Sequence, residues 1–217
     1  MDQIRDFRKA LPALQMKTIF DIGANVGRTV RALRDAYRKT DIYAFEPVQG
    51  TFALLQEAVG RDPQIKCFNM AFGDVKTKLR MDATPGSVKN RISDQAEGLE
   101  VDVRRGDEFC AEQGIDRINF LKIDTEGYDL KVCQGFSSML QAGQIDLLQV
   151  ESGLSPKNKL HVPLQAFKEY LEPIGYSLFR IYDQAGWPVA RRCDAVFVSS
   201  LIADSSRRLP REQASWL

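Results

Sequence analysis

The residues best placed to do chemistry lie in a short turn that contains two glycines. The apolar run TIFDI precedes this turn and helix-type spacing of apolar residues follows it, so the turn joins a strand to a helix. In open parallel sheets such turns, at the carboxyl ends of strands, bind ligands. Gly23 allows a positive φ and a close ligand, and Gly27 lets the helix begin near the sheet. We therefore expect a cofactor site that includes Asp21, Gly23, Ala24, Asn25, Val26 and Gly27.

The charge of this turn indicates which cofactor it holds. The dinucleotide fingerprint uses a middle glycine to admit a pyrophosphate, and the turn GANVG lacks that glycine. Asp21 would also repel a diphosphate and attract a cation. S-adenosylmethionine carries a sulfonium and an ammonium group and no phosphate, so it suits the turn better. Glu46, at the end of a second strand-like run, is placed to accept hydrogen bonds from ribose hydroxyls.

Two acids close the strand-like run INFLKID and open a helix. Asp124 and Glu126 are stabilised there by exposed backbone amides, and plain helix capping is the alternative interpretation. Lys122 lies inside the same strand. Because a buried ammonium without a partner is costly, we expect it to pair with Asp124 or Glu151.

Catalytic candidates lie near the end of a later strand. Glu151 follows the run LLQV and is the first candidate to accept a proton from an acceptor hydroxyl or to bind it, with a salt bridge as the alternative. His161 is the single histidine and titrates near neutrality. We predict Glu151, His161 and Asp124 as catalytic and no metal ion, although Asp124, Glu126 and Glu151 are oxygen donors of the kind that hold magnesium.

Two polar inserts predict the acceptor side of the site. They span residues 84–98 and 152–162 and interrupt the alternation of helices and strands. Tyr182 and Trp187 would add flat faces of the kind that pack on sugar rings. Plain solvated surface is the alternative for all of them. The candidate substrate-binding residues are Asn90, Arg91, Lys157, Asn158, Tyr182 and Trp187, with Lys159 as a further hydrogen-bond donor.

The order of elements predicts a parallel sheet covered by helices on both faces. Apolar runs without alternation indicate strands buried on both sides. A last pair of runs, 176–183 and 194–201, flanks a turn and predicts an antiparallel hairpin at the sheet edge. The remaining strands are expected at 18–22, 42–47, 65–72, 118–124 and 145–150, and helices at 48–59, 128–143 and 163–172.

Composition limits the function classes. The 217 residues suit one domain, 1–217, with a helical N-terminal segment at 1–17 and a frayed tail at 203–217. A net charge of +1 argues against binding to nucleic acid or an acidic membrane through the overall field. No run is long enough to span a membrane, and the first residues lack the core of a secretory signal. Four scattered cysteines predict reduced thiols in the cytoplasm.

Four segments together resemble a known family. FDIGANVGRTV, YAFEP, FLKIDTEGYDLKVCQG and LLQVES are similar to the FkbM-type S-adenosylmethionine-dependent methyltransferases, over roughly residues 18–200. The resemblance implies a Rossmann-like class I methyltransferase fold, α/β, with a seven-stranded, mostly parallel sheet whose last strand is antiparallel. It also implies methyl transfer, commonly to a hydroxyl of a sugar or secondary metabolite, with S-adenosylhomocysteine as product.

The same resemblance implies roles for individual residues. Residues 21–27 would hold the amino-acid end of the cofactor, and Glu46 with Pro47 would hold the ribose. The end of the third strand would lie by the adenine, and Asp124 matches the motif at the end of the fourth. The adenine assignment falls on Asn69, Met70 and Ala71; Asp74 is the nearest acid.

Other functions remain open at this point. An N- or carboxyl-methyltransferase of the same fold is one alternative, and a non-catalytic S-adenosylmethionine-binding partner protein is another. An NAD-dependent oxidoreductase is disfavoured by the missing glycine. We expect a small-molecule or glycan acceptor, while the sequence predicts neither the acceptor's identity nor the oligomeric state.

Overall fold

The computed structural model describes residues 2–87, 90–92 and 98–209 of the chain. Two sheets and a set of helices make up this part of the protein. The strands are β1 (Thr18–Ile22), β2 (Asp41–Phe45), β3 (Ile65–Phe68), β4 (Ala71–Phe72), β5 (Thr77–Asp82), β6 (Arg91–Ile92), β7 (Leu99–Arg104), β8 (Ile118–Ile123), β9 (Ile145–Gly153), β10 (Tyr176–Ala185) and β11 (Arg192–Ser199). The helices are α1 (Asp2–Ala10), α2 (Arg28–Ala36), α3 (Gln49–Val59), α4 (Gly106–Gln113), α5 (Asp129–Gly135), α6 (Ser137–Gln141), α7 (Leu164–Leu171) and α8 (Ser200–Arg208).

The larger sheet has seven strands in the order β10-β11-β9-β8-β1-β2-β3. The run from β9 to β3 pairs in parallel, and β11 lies antiparallel between β9 and β10. The predicted fold, mostly parallel with an antiparallel last strand, is confirmed. Because β1, β2 and β8 are neighbours, the loops that follow them meet at one edge of the sheet.

Helices cover both faces of this sheet because its strands present apolar side chains in both directions. Every residue of β8 and β9 is buried. In β1, Ile19 joins an apolar cluster with α1, α2 and α3. Its neighbours Phe20 and Ile22 join a second cluster with α4, α5, α6 and α7. The two clusters sandwich the sheet and fix the strand ends in place.

A second, four-stranded sheet differs from the sequence prediction. Residues 65–72 were expected to form one strand, but they form β3 in the large sheet and β4 in a sheet ordered β4-β7-β5-β6. The strand β5 is mostly exposed, so it lacks the apolar run that marks a buried strand. A small core of Val48, Met81, Val101 and Val103 holds this sheet beside β2.

Two helical segments also differ from expectation. The helix predicted at 128–143 breaks at Phe136 into α5 and α6, where the Phe136 ring packs closely against Gly106 of α4. The frayed tail expected from Ala203 is helical to Arg208, because Ser199 Oγ caps α8 by accepting from the Ile202 amide. Residues 210–217 of that predicted tail lie outside the described residues. None of the described helices has the length and apolar character that crossing a bilayer requires.

Candidate active site

A cleft opens where the loops after β1, β2 and β8 meet. It collects most of the residues that the sequence predicts for a cofactor. From that set the cleft is lined by Gly23, Ala24, Asn25, Val26, Glu46, Pro47, Met70, Ala71 and Asp124.

The turn between β1 and α2 has the geometry that its glycines predict. Gly23 has a φ of 80° and Gly27 a φ of 78°, both left-handed, and Asn25 has a φ of 49°. A Cβ atom at Gly23 would lie 2.0 Å from the carbonyl oxygen of Asp124, so a side chain there is excluded. Gly27 begins α2 and faces Leu55 rather than the cleft. The backbone of this turn therefore forms one wall of the cleft.

Asp21 lies beneath the cleft instead of lining it. Its side chain is fully buried, and Lys122 Nζ lies 3.2 Å from Asp21 Oδ1 and 3.1 Å from Asp124 Oδ2. Burial alone lowers the pKa of Lys122, but the two carboxylates outweigh it and raise that pKa above its usual value. The predicted Lys122–Asp124 pair is confirmed, Asp21 is its second partner, and Glu151 is not in the pair. Asp21 Oδ2 is buried without a hydrogen-bond partner among the described residues, which leaves one acceptor open.

Glu46 joins two loops while its carboxylate borders the cleft. Its Oε2 accepts from the Asn25 amide at 3.1 Å and its Oε1 accepts from the Val48 amide at 3.0 Å. Burial raises the pKa of Glu46, and these two donors partly offset the rise. Asn69, predicted beside the adenine, instead donates its amide to the carbonyls of Glu46 and Pro47. It fixes the end of β2 without lining the cleft.

The apolar end of the cleft includes residues that sequence analysis missed. Phe72 and Met81 lie there together with the predicted Met70 and Ala71. No signal pointed to Met81 because the second sheet was not predicted. Asp74 is turned away, and its carboxylate pairs with Lys131 Nζ at 2.6 Å.

The first insert covers one side of the cleft. Its Gly86 amide donates to Thr51 Oγ1 at 2.9 Å, and Asn25 Nδ2 donates to the Ser87 carbonyl at 2.8 Å. Asn90, predicted to bind substrate, also lines the cleft. The side chain of Arg91 lies outside what the structure describes, as do residues 88–89 and 93–97 of this insert.

Two of the three catalytic candidates, Glu151 and His161, form a cluster with Glu126 at the edge of the cleft, and Asp124 is not part of it. His161 Nε2 lies 2.8 Å from Glu151 Oε2 and 4.0 Å from Glu126 Oε2. Glu151 also pairs with Arg192. Glu126 lines the cleft, as does Asp124, whereas Glu151 and His161 lie behind it. Burial lowers the pKa of His161, which favours the neutral imidazole. We call Glu126, Glu151 and His161 the acid–imidazole cluster.

Asp129 positions this cluster and was not predicted. Its Oδ2 accepts from Thr125 Oγ1 at 2.9 Å and from the Gly127 amide at 3.3 Å. Its Oδ1 accepts from the Glu151 amide at 3.4 Å. The side chain is fully buried, and burial raises its pKa to about 7. Asp129 therefore ties the loop after β8 to the end of β9.

The predicted substrate residues separate into different places. Asn158 Nδ2 lies 2.9 Å from His161 Nδ1 and donates to the Arg191 carbonyl at 3.0 Å, so it positions the histidine. Lys157 and Lys159 lie in a groove next to His161. Tyr182 does not join them, because its hydroxyl donates to Asp6 of α1 at 3.1 Å. Trp187 is 89% exposed on the turn between β10 and β11.

The acid–imidazole cluster is also the place where a cation would fit. Its three donor atoms lie within 4.8 Å of one another, as one ion would require. Asp124, part of the magnesium alternative, is not in this group. The direct contact between His161 Nε2 and Glu151 Oε2, and the Arg192 guanidinium on Glu151, already engage two of these three residues, which disfavours an ion there.

The chain is similar in sequence to known methyltransferases. The sequence model of the Methyltransferase FkbM domain matches residues 21–178. A hexuronic acid methyltransferase, AglP of Haloferax volcanii, is 25% identical over 64% of this chain and 58% of its own length. A 2-O-methyltransferase, NoeI of Sinorhizobium fredii, is 25% identical over 54% of this chain and 56% of its own. The chain spans just over half the length of these relatives.

Solved structures show the same fold. TrmK of M. capricolum, bound to S-adenosylhomocysteine, has a TM-score of 0.54 at 13% identity and covers 92% of this chain and 68% of its own. The magnesium protoporphyrin IX methyltransferase of Synechocystis, with bound S-adenosylmethionine, has a TM-score of 0.50 at 14% identity, covering 92% and 79%. At such identities the likeness shows the Rossmann-like fold alone.

Proposed function

The chain belongs to the methyltransferase FkbM family, and from that premise we propose that it transfers a methyl group from S-adenosylmethionine to a hydroxyl of a sugar or a similar small metabolite. The family and its cofactor give the reaction class. The relatives named for a hexuronic acid and for 2-O-methylation support an oxygen of a sugar as the acceptor.

One observation carries the proposal: the glycine turn, two strand-end acids and the acid–imidazole cluster meet around a single cleft. Glu46 retains lone pairs for ribose hydroxyls, because each of its oxygens accepts only one backbone amide. Asp124, held by Lys122, offers a carboxylate to an ammonium group. Phe72, Met70 and Met81 offer an apolar surface to a base. This set suits a nucleoside with a positively charged amino-acid end.

When bound, S-adenosylmethionine supplies an electrophilic methyl carbon, and the protein must deliver the attacking oxygen to it. Methyl transfer to a hydroxyl forms an oxygen–carbon bond, breaks the sulfur–carbon bond and releases the hydroxyl proton. Glu126 lines the cleft and is the first group of the cluster that an entering hydroxyl meets. His161 and Glu151 stand behind it, and this neutral imidazole beside a carboxylate holds the released proton.

The cofactor part of the proposal is tested by isothermal titration. We expect S-adenosylmethionine to bind in the micromolar range, and Glu46→Ala to weaken that binding at least 10-fold because the ribose loses its acceptor. Glu57→Ala, an exposed acid on α3, is the matched control and should bind normally. Binding that is unchanged in Glu46→Ala would remove the ribose assignment.

The oxygen specificity is tested on the product. A methyl ether survives mild base, whereas a methyl ester is hydrolysed, and a methylated amine gains a distinct mass-spectral fragment. Recovery of an ester or an N-methyl product would replace this proposal with the carboxyl- or N-methyltransferase alternative. A cytoplasmic location stays a prediction, in keeping with the four free cysteines.

A further inference from the structure

A groove with a strong positive charge adjoins the acid–imidazole cluster. Its two walls are residues 157–161 and the β10–β11 turn with Arg191 and Arg192. Four cations line it, namely Lys157, Lys159, Arg191 and Arg192, and no acid is among its lining residues. For a chain whose net charge is only +1, this is a local concentration of charge. We call it the basic groove.

Three of the four cations are available to a ligand. Lys157, Lys159 and Arg191 are exposed, and no ion pair to them is shown among the described residues. Two other exposed lysines are paired, Lys78 with Glu100 and Lys131 with Asp74. Like charges brought together without counter-charges repel one another, so the groove favours an anion.

The walls of the groove are held in place by hydrogen bonds. Asn158 Nδ2 donates to the Arg191 carbonyl at 3.0 Å, and the Leu154 amide donates to the same carbonyl at 2.9 Å. The Arg191 amide in turn donates to the Ala185 carbonyl at 2.7 Å. The backbone that carries the cations is therefore held in one conformation. This lowers the entropy cost of binding a ligand.

The groove and the proposed site of reaction meet at His161. His161 lines the groove, and its Nε2 lies 4.0 Å from Glu126 Oε2 at the edge of the cleft. Arg192 belongs to the groove and also pairs with Glu151. A molecule with its anionic group in the groove can therefore place a hydroxyl beside the cluster.

We propose that the acceptor carries a carboxylate or phosphate group and that the basic groove binds this group through Lys157, Lys159 and Arg191. The inference rests on the proposed function and narrows its substrate class to acidic sugars or similar acidic hydroxylated molecules. Arginine and lysine bind both anions through charge-assisted hydrogen bonds.

The test uses methyl glycosides of glucose, galactose and mannose, each as the neutral sugar, the 6-carboxylate and the 6-phosphate. S-adenosylhomocysteine release gives kcat/KM, and ligand-observed NMR with added S-adenosylhomocysteine gives binding. We expect one charged form to exceed its neutral sugar at least 10-fold in both measurements. A larger effect of carboxylate or of phosphate identifies the source of the anion.

The variant Lys157→Gln/Lys159→Gln should reduce this preference about 10-fold, by raising KM, without changing the affinity for S-adenosylmethionine. Arg191→Gln should act in the same direction. Lys39→Gln/Lys76→Gln removes the same charge from exposed sites outside the groove and should keep the preference. In 0.5 M NaCl the preference of the wild type should weaken.

The proposal is overturned if neutral sugars bind and react as well as the charged forms, or if the groove variants keep the full preference. Its failure can be told apart from that of the proposed function. Charged sugars that bind in the NMR arm but are never methylated would support the groove and refute sugar methylation. Normal binding of S-adenosylmethionine with no charge preference would refute the groove alone.

Discussion

The cleft and the basic groove both border the acid–imidazole cluster, yet they are built from different parts of the polypeptide. Backbone turns with left-handed residues and buried acids form the cleft, as at Gly23 and Glu46. Exposed side chains from two distant segments form the groove, as at Lys157 and Arg191. A site made of backbone tolerates little change, whereas one made of exposed side chains can change its ligand by substitution alone.

The largest effect is expected from a substitution in the glycine turn that forms one wall of the cleft. Gly23→Val should abolish measurable binding of S-adenosylmethionine, because the new Cβ would meet the Asp124 carbonyl and displace the turn. Gly114→Val is the matched control, since Gly114 also has a positive φ of 65° but nothing lies within 4 Å of its Cβ position. It should cost about 1–2 kcal/mol of stability and leave binding unchanged. Titration and thermal unfolding of both variants measure this, and equal affinities would contradict the backbone role.

A second test asks whether the acid–imidazole cluster affects turnover without affecting cofactor binding in the cleft. Under the proposed function, Glu151→Gln and His161→Asn should each lower kcat about 10²–10⁴-fold, because the proton of the acceptor hydroxyl would lose its holder. The affinity for S-adenosylmethionine should not change, since neither side chain lines the cleft. Steady-state kinetics and titration on the same samples measure the two quantities. Wild-type kcat in both variants would show that the proton leaves by another route.

The buried ion pairs beneath the cleft give the next largest effect. Lys122→Met should destabilise the protein by about 3–5 kcal/mol, because Asp21 and Asp124 lose their shared partner. Lys78→Met removes the exposed pair with Glu100 and should leave the unfolding temperature almost unchanged. Thermal and urea unfolding compare the two variants. Equal losses of stability in the two variants would show that the buried ion pairs of Lys122 contribute no more than the exposed pair of Lys78.

The pH dependence of stability tests Asp129, which ties the loop after β8 to the end of β9. The folded protein holds this proton to about pH 7, whereas the unfolded chain releases it near 3.8. Stability from this group therefore falls as the pH rises from about 4 to 7. Between pH 5 and pH 8 the wild type should lose about 2–3 kcal/mol more than Asp129→Asn. Urea unfolding at both pH values measures this, with the exposed Asp35→Asn as control; parallel curves for wild type and Asp129→Asn would contradict it.

The smallest expected effect concerns divalent ions. Treatment with EDTA should leave kcat within about 2-fold, because the cluster already pairs an imidazole and a guanidinium with its carboxylates. Activity before and after chelation is the measurement, and untreated enzyme is the control. Loss of activity that magnesium restores would make the cluster a metal site.

The cleft was largely predictable from the sequence because its signals are local. A strand, a glycine turn and a helix follow one another over residues 18–36, and Glu46 ends the next strand. The parallel order of these elements then dictates that their loops meet. Met81 was not predictable, since β5 has no apolar run and its position depends on pairing with β7.

The groove was less predictable because it depends on contacts between distant segments. Lys157 and Asn158 were expected to bind substrate, but only the fold shows that Asn158 holds Arg191 and His161 together. Tyr182 was expected beside them, and its contact with Asp6 of α1 depends on how the N-terminal helix packs on the sheet. Charge alone does not reveal which exposed cations face one another.

Arg192 belongs to both regions, so a change in one of them acts on the other. Its guanidinium lines the groove and also pairs with the Glu151 carboxylate of the acid–imidazole cluster. A substitution at Arg192 would therefore alter the groove and the cluster together, whereas a substitution at Lys157 would alter the groove alone.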